Sequence, residues 1–268
     1  MTGAPGSEVV DSKVSIGDEE LECREIRVAQ QTSFAFTLVF LHEGLGSVAM
    51  WRDTPKAMCE ALGCNGLVYS RMGYGTSTRL KAPRPIHFME READDVLPRL
   101  LEMFSIEAPV LLGHSDGASI ALLYASRPSS LARAIVVLAP HVFVEDIALQ
   151  SIQAAREAYL AGPLRERLKP YHADVDGAFF GWNDVWLDPQ FASWDITARI
   201  ASVRCPVTAI QGVDDEYGTL AQLDAVLNRV PHCSIHALPD CRHSPHRDQP
   251  EAVTALTNEL LRNLAATA

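Results

Sequence analysis

Six short apolar runs punctuate the chain: FAFTLVFL (34–41), GLVYS (66–70), PVLLG (109–113), AIVVLA (134–139), PVTAIQG (206–212) and CSIHAL (233–238). Several are apolar at every position, as strands buried on both faces of a parallel sheet must be, and their spacing suits crossover helices. VSIGDEELECREI (14–26) alternates instead, which predicts an exposed antiparallel edge near the N-terminus. From about 141 to 200 no segment reads as a central strand, so this stretch is expected to be a helical insertion. The fold class that follows is α/β: a mostly parallel central sheet with helices on both faces. Its core is expected to comprise 1–140 and 201–268, with 141–200 as a helical lid.

Tyr171, Phe179, Phe180, Trp182, Trp186, Phe191 and Trp194 crowd into the second half of that insertion. An inserted lid must bury a face against the core, so packing accounts for most of these rings, while Trp182 and Trp186 are candidates to line a pocket. A chain of 268 residues, 47% hydrophobic and 21% charged, has enough apolar area for one core with an insertion. Its net charge of −11 lacks the basic surplus that a phosphate backbone requires, so no nucleic-acid partner is expected. The first residues lack a basic segment followed by an apolar one, and no apolar run approaches the roughly 18 residues of a membrane span. The expectation is a soluble cytoplasmic protein that meets a small-molecule substrate and no membrane. Six scattered cysteines, with no CxxC pair, read as reduced structural thiols.

The chemistry starts at Gly113-His114-Ser115-Asp116-Gly117, which fits G-x-S-x-G between an apolar strand and a helix, ASIALLYAS, that stops at Pro128. A serine on such a turn is held in a strained conformation with its hydroxyl above the strand ends, next to the free N–H groups of a helix N-terminus. A serine hydroxyl is a weak nucleophile and needs a base and a group to orient that base. PVTAIQGVDDEYGT ends a strand in acidic residues, and LPDCRHSPHRDQPEAV places histidines ahead of a C-terminal helix.

The order Ser, Asp, His, together with LHEGLGS, SRMGYGTST, GHSDGA, QGVDDEYG and CRHSPHRDQPEAV, makes nearly the whole chain resemble an α/β-hydrolase fold enzyme. In that resemblance LHEGLGS is the oxyanion loop, SRMGYGTST the R-x-G-x-G-x-S segment, and the last three are the nucleophile elbow, the acid turn and the histidine loop. It implies Ser115 as nucleophile, His243 as base and Asp215 as its orienting acid. The usual G-x-x-D spacing from Gly212 selects Asp215 over Asp214. Arg242 stands where the family commonly has glycine before the histidine, so His246 stays open beside His243. The oxyanion donors implied are the backbone N–H groups of Asp116 and Gly44. The activity implied is hydrolysis of a small carboxylic ester, thioester or lactone without a cofactor. Hydrolysis of a carbon–carbon bond in a ring-cleavage product, and receptor-like ligand binding on the same fold, stay as alternatives. A serine at 115 excludes the aspartate-nucleophile chemistries of dehalogenases and epoxide hydrolases.

Other readings account for less. GLGSVA (44–49) matches a dinucleotide-binding G-x-G-x-x-A, but it does not follow the first strand and leaves the elbow and histidine loop unexplained. His243, His246 and Asp248 could be drawn around a metal, yet HEGLG is not H-E-x-x-H and no second cluster supports a site, so no metal is expected. His42 is expected to brace the oxyanion loop, His114 to pack beneath the elbow, and His141 is a pocket candidate. Glu43 and Asp116 would place carboxylates beside an oxyanion site, so both side chains are expected to turn away and serve through their backbones. Were one to face the pocket, a cationic substrate group would balance it; Asp116 beside the nucleophile resembles elbows of hydrolases that accept amine-bearing esters.

Overall fold

The structure, a computed structural model, describes residues 6–29 and 36–266. Eight strands form one sheet: β1 (Ser7–Ile16), β2 (Glu19–Val28), β3 (Thr37–Leu41), β4 (Asn65–Tyr69), β5 (Pro109–His114), β6 (Ala134–Leu138), β7 (Val207–Gly212) and β8 (Cys233–Leu238). Their spatial order is β1-β2-β4-β3-β5-β6-β7-β8. β1 pairs with β2, and β2 with β4, in antiparallel, and all later neighbours pair in parallel. Each of the six apolar runs supplies one of the parallel strands. β5, β6 and β7, apolar throughout except for Gly113, His114, Thr208, Gln211 and Gly212, are buried at every residue. Phe34 and Ala35 of the first run lie outside the described residues.

The alternating stretch 14–26 is not one strand but parts of two. Gly17, at φ +62°, and Asp18 form a two-residue turn that pairs Ile16 with Glu19, and β1 reaches back to Ser7. Period-two alternation persists on both arms of a hairpin, so the pattern alone conceals the reversal.

Alternation along the central strands divides the core between the two faces of the sheet. Val39, Leu41, Leu111 and Val137 face one side, with the buried helix Asp116–Ala125, and Leu38, Phe40, Leu112 and Val136 face the other, with the C-terminal helix Pro250–Ala266. One helical run, Phe88–Arg91, Glu92–Val96 and Leu97–Met103, has a π turn at its middle. Pro98 has no N–H to give to residue 94, which relaxes the ordinary helical bonding at that turn.

Between β6 and β7 the described elements are helical apart from a single antiparallel bridge, Phe143 with Asp195. The helices Asp146–Ala161 and Val175–Trp186 pack through Tyr159 and Phe179, whose rings stack with centroids 3.7 Å apart. Among the described residues no helix is long and apolar enough to cross a membrane.

After β3 the chain steps to β4 on one side and then crosses to β5 on the other. The carboxyl ends of β3 and β5 therefore diverge at a topological switch point, where an open α/β sheet has its crevice. The helix that follows β5 crosses close to the end of β3: a Cβ on Gly117 would lie 2.0 Å from the Leu41 carbonyl oxygen. Gly117→Ala is expected to destabilise the fold by about 1–3 kcal/mol through overpacking against rigid backbone, read as a lower urea midpoint with an unchanged m-value.

Candidate active site

Ser115 stands between the last residue of β5 and the first of the helix Asp116–Ala125, at φ +53° and ψ −118°. A side-chain-bearing residue in that region is strained and persists only where its surroundings hold it. Here they do: the Ser115 N–H donates to the Leu138 carbonyl at 2.9 Å, and its carbonyl accepts from Ala118 N–H at 2.8 Å. The flanking glycines are a packing requirement, since a Cβ on Gly113 would fall 2.2 Å from the Gly117 carbonyl oxygen. Ser115 is 6% exposed and lines a cavity of about 500 Å³ above the strand ends.

His243 lines the same cavity. Its Nδ1–H donates to Asp215 Oδ1 at 2.8 Å, which leaves Nε2 as the nitrogen without that proton. Asp215 also accepts from the Tyr217 backbone N–H at 2.8 Å and the Gln211 side-chain amide at 3.1 Å. Burial disfavours its charge, but the hydrogen bond and charge of His243 outweigh that, and the carboxyl lies below its ordinary range. Asp214, by contrast, is exposed. His246 is buried against Trp51 and His114, with ring centroids 4.7 and 4.8 Å away, and neither of its nitrogens has a partner. His243, not His246, is thus the histidine joined to an acid.

His114 sits under the elbow, 1% exposed, and donates from Nε2 to the His243 carbonyl at 2.7 Å, so it holds the backbone of the histidine loop. His42 braces the loop after β3: its Nε2 accepts the Arg71 N–H at 3.0 Å and its Nδ1–H donates to the Glu43 carbonyl at 2.7 Å. Burial and the Arg71 charge push this imidazole well below its usual range, consistent with one nitrogen accepting and the other donating.

Arg71, 1% exposed, ties these parts together. Its guanidinium donates to the His42 carbonyl and, at 3.0 Å, to the Glu43 carbonyl, and lies 3.6 Å from Asp116 Oδ2. The Asp116 side chain is fully buried, and Oδ1 accepts the Trp186 indole N–H at 3.1 Å. Burial pushes this carboxyl above its ordinary range, with Arg71 and the indole N–H acting against the rise. The cation that balances Asp116 therefore belongs to the protein, so the site has no need of one from a ligand. Glu43 lines the cavity as well, with its carboxylate 3.5 Å from His114 Nδ1 and 3.6 Å from Arg247. It too is balanced from within the chain.

Trp182 and Trp186 descend from the helix Val175–Trp186 to form one wall. Trp182 lies against the loop after β3 so closely that a Cβ on Gly44 would be 2.1 Å from its Nε1. His141, 3% exposed, faces the cavity from the loop after β6. Four lining residues were not singled out from sequence, Leu45, Ile152, Tyr217 and Ser244. Tyr217 had a local signal, because a residue two after an aspartate is where an Asx turn places its N–H. Ile152 had none, being one apolar position among many on a helix. Among the described residues no group of three or more His, Cys, Asp or Glu side chains could hold a metal ion.

Comparison with known proteins agrees with this geometry. The model of the alpha/beta hydrolase family matches residues 38–256. The serine hydrolase BPHL of Mus musculus is 24% identical over 202 residues, covering 71% of this chain and 67% of that protein. Among solved structures, a carboxylesterase from the thaumarchaeon Nitrososphaera gargenis superposes with a TM-score of 0.77 at 17% identity, over 96% of this chain and 100% of that one. Proline iminopeptidase from Mycobacterium smegmatis gives 0.73 at 20% identity, over 97% and 100%. At such identities the structural likeness is one of fold.

Arg71→Met is expected to lower stability by about 3–5 kcal/mol, because it leaves Asp116 buried without its cation. Adding Asp116→Asn to Arg71→Met should return part of that loss, measured by chemical denaturation as a double-mutant cycle.

Proposed function

Because this chain belongs to the alpha/beta hydrolase family, we propose that it is a serine hydrolase that cleaves a small carboxylic ester, thioester or lactone through an acyl-enzyme on Ser115. The observation that carries the proposal is the Asp215–His243 hydrogen bond of 2.8 Å in the cavity that Ser115 also lines. With Nδ1–H committed to Asp215, Nε2 of His243 is the atom that would take the Ser115 proton as Oγ attacks the carbonyl carbon. The tetrahedral intermediate then collapses, the C–O or C–S bond to the leaving group breaks, and His243 returns the proton to that group. Water repeats the sequence to free the acid. Asp215 fixes the imidazole tautomer and stabilises the imidazolium in both halves.

The developing oxyanion is assigned to the backbone N–H groups of Asp116 and Gly44. Asp116 is the first residue of its helix, so its amide has no intrahelical acceptor, and the helix dipole favours negative charge there. Arg71 and His42 support the second donor by holding the carbonyls of residues 42 and 43, which leaves the following peptide in one orientation. On this reading the helical segment 141–200 is a lid, and Trp182, Trp186 and Ile152 give the cavity an apolar wall suited to a small acyl or aryl group. All six cysteines are free, which suits a reducing compartment and a cytoplasmic site of action.

A fluorophosphonate probe is expected to add once to the wild-type chain, not at all to Ser115→Ala, and slowly to His243→Ala, as read by intact mass. Asp215→Asn should retain the fold and lose roughly 10³–10⁴ in kcat on an aryl ester, because the amide no longer accepts from Nδ1–H. An unlabelled but folded wild-type protein would overturn the acyl-enzyme mechanism in favour of ligand binding. Turnover of dienoate diketones with none of esters would assign carbon–carbon hydrolysis instead.

A further inference from the structure

The loop after β6 holds a strained residue and, two positions on, an unsatisfied one. Ala139 lies at φ +47°, in the left-handed region that disfavours a side chain, with its N–H fixed to the Ile210 carbonyl at 2.8 Å. The His141 carbonyl accepts from Ser119 Oγ at 2.6 Å, and the Val142 N–H donates to Gln222 Oε1 at 2.7 Å. Ser119 and Gln222 are both fully buried. Three anchors from three different elements thus hold one short loop in a conformation that its own sequence would not favour.

What that loop delivers is an imidazole at the cavity wall. His141 is 3% exposed, packs edge-on to Trp186 with centroids 5.1 Å apart, and lies 5.7 Å from the His243 ring. Its Nδ1 is buried and has no hydrogen-bond partner. Folded proteins seldom leave the polar atoms of a buried ring unpaired, and His141 lines the cavity beside reactive groups, where a ligand atom can pair with the imidazole. Burial and the neighbouring His243 push this imidazole down to about 3, so it is uncharged near neutral pH and offers one donor and one acceptor. The charged groups around it are already matched: Asp215 by His243, Asp116 by Arg71, and Glu43 by Arg247. The cavity therefore presents no unmatched cation to an anionic ligand and no unmatched carboxylate to an ammonium.

We infer that His141 is a specificity-determining residue that hydrogen-bonds an uncharged hydroxyl or keto oxygen of the substrate, carried within about two carbons of the scissile carbonyl. The distance follows from the placement of His141 beside His243, since the carbonyl under attack must lie within reach of the base. The inference rests on the serine-hydrolase reading of the same site and narrows its substrates to small oxygenated acyl esters. A plain alkyl acyl group would leave the imidazole without a polar partner in the complex, and a site built around a polar contact discriminates against the analogue that lacks it.

The test compares p-nitrophenyl esters of butyrate, 2-hydroxybutyrate and 3-hydroxybutyrate on wild type, His141→Leu and His141→Asn, with fluorophosphonate labelling and thermal unfolding on each. Wild type is expected to favour one hydroxylated ester over butyrate by about tenfold in kcat/KM, the order of a single neutral hydrogen bond. In His141→Leu that ratio should fall to near one, and His141→Asn should keep part of it. His141→Leu should unfold at the same temperature as wild type or higher, because it removes an unsatisfied buried atom. A ratio unchanged in His141→Leu, no preference in wild type, or a variant that unfolds earlier and loses all three esters equally would overturn the inference, the last by making His141 a packing residue. These outcomes differ from failure of the hydrolase reading, in which wild type neither takes the phosphonate nor turns over any ester, and both proposals fall.

Discussion

Arg71 carries a positive charge to a position almost closed to water, a placement that is unfavourable unless carbonyl oxygens and an opposite charge compensate it. The carbonyls of His42 and Glu43 and the carboxylate of Asp116 meet it from two sides. Because Asp116 in turn accepts from Trp186, one buried cation links the loop after β3, the helix after β5 and the helical segment before β7. These are three of the parts that enclose the cavity. Loss of the charge would therefore loosen the site's geometry as well as the fold.

The second constraint is steric. Ser115 is held in the left-handed region because β5 and its following helix meet within a few ångströms, close enough that neither Gly113 nor Gly117 has room for a side chain. Strain at the serine and tight backbone contact at its neighbours are two results of one short connection. That connection opens where the sheet's strand order reverses, so the hydroxyl is exposed to the crevice and little else.

Electrostatically, the site is rich in acids yet internally balanced. Three carboxylates line or border the cavity, and each has a cationic or imidazole partner from the same chain. A negative field next to a proposed oxyanion site would raise the barrier to acyl transfer, and the pairing with Arg71, Arg247 and His243 offsets it. What is left over is an uncharged imidazole at His141 and an apolar wall of tryptophans, a lining suited to a small uncharged substrate.

Much of this was legible from sequence because the relevant physics is local. Short apolar runs suit the strands of a parallel sheet, so β3 to β8 stood out, although β8, at the sheet edge, has no buried residue. G-x-S-x-G between a strand and a helix is a close-packing requirement written in adjacent residues, while the resemblance to α/β-hydrolases, through its G-x-x-D acid turn, singled out Asp215. The hairpin at Gly17 was hidden because alternation has the same period on both of its arms. Contacts between distant segments were hidden for a more general reason. Nothing in HSDGA says that Asp116 will meet Arg71 and Trp186, because its cation lies 45 positions earlier in the chain. His243 and His246 were equivalent as letters, and only the packing of Trp51 and His114 around one and the approach of Asp215 to the other separated them. Sequence by itself determined the elements and the chemical groups available, since strand burial and tight turns depend on neighbours in the chain. Tertiary structure alone decided which charges are matched and which buried polar atoms, His141 Nδ1 among them, are left without a partner, because hydrogen bonding and desolvation depend on neighbours in space.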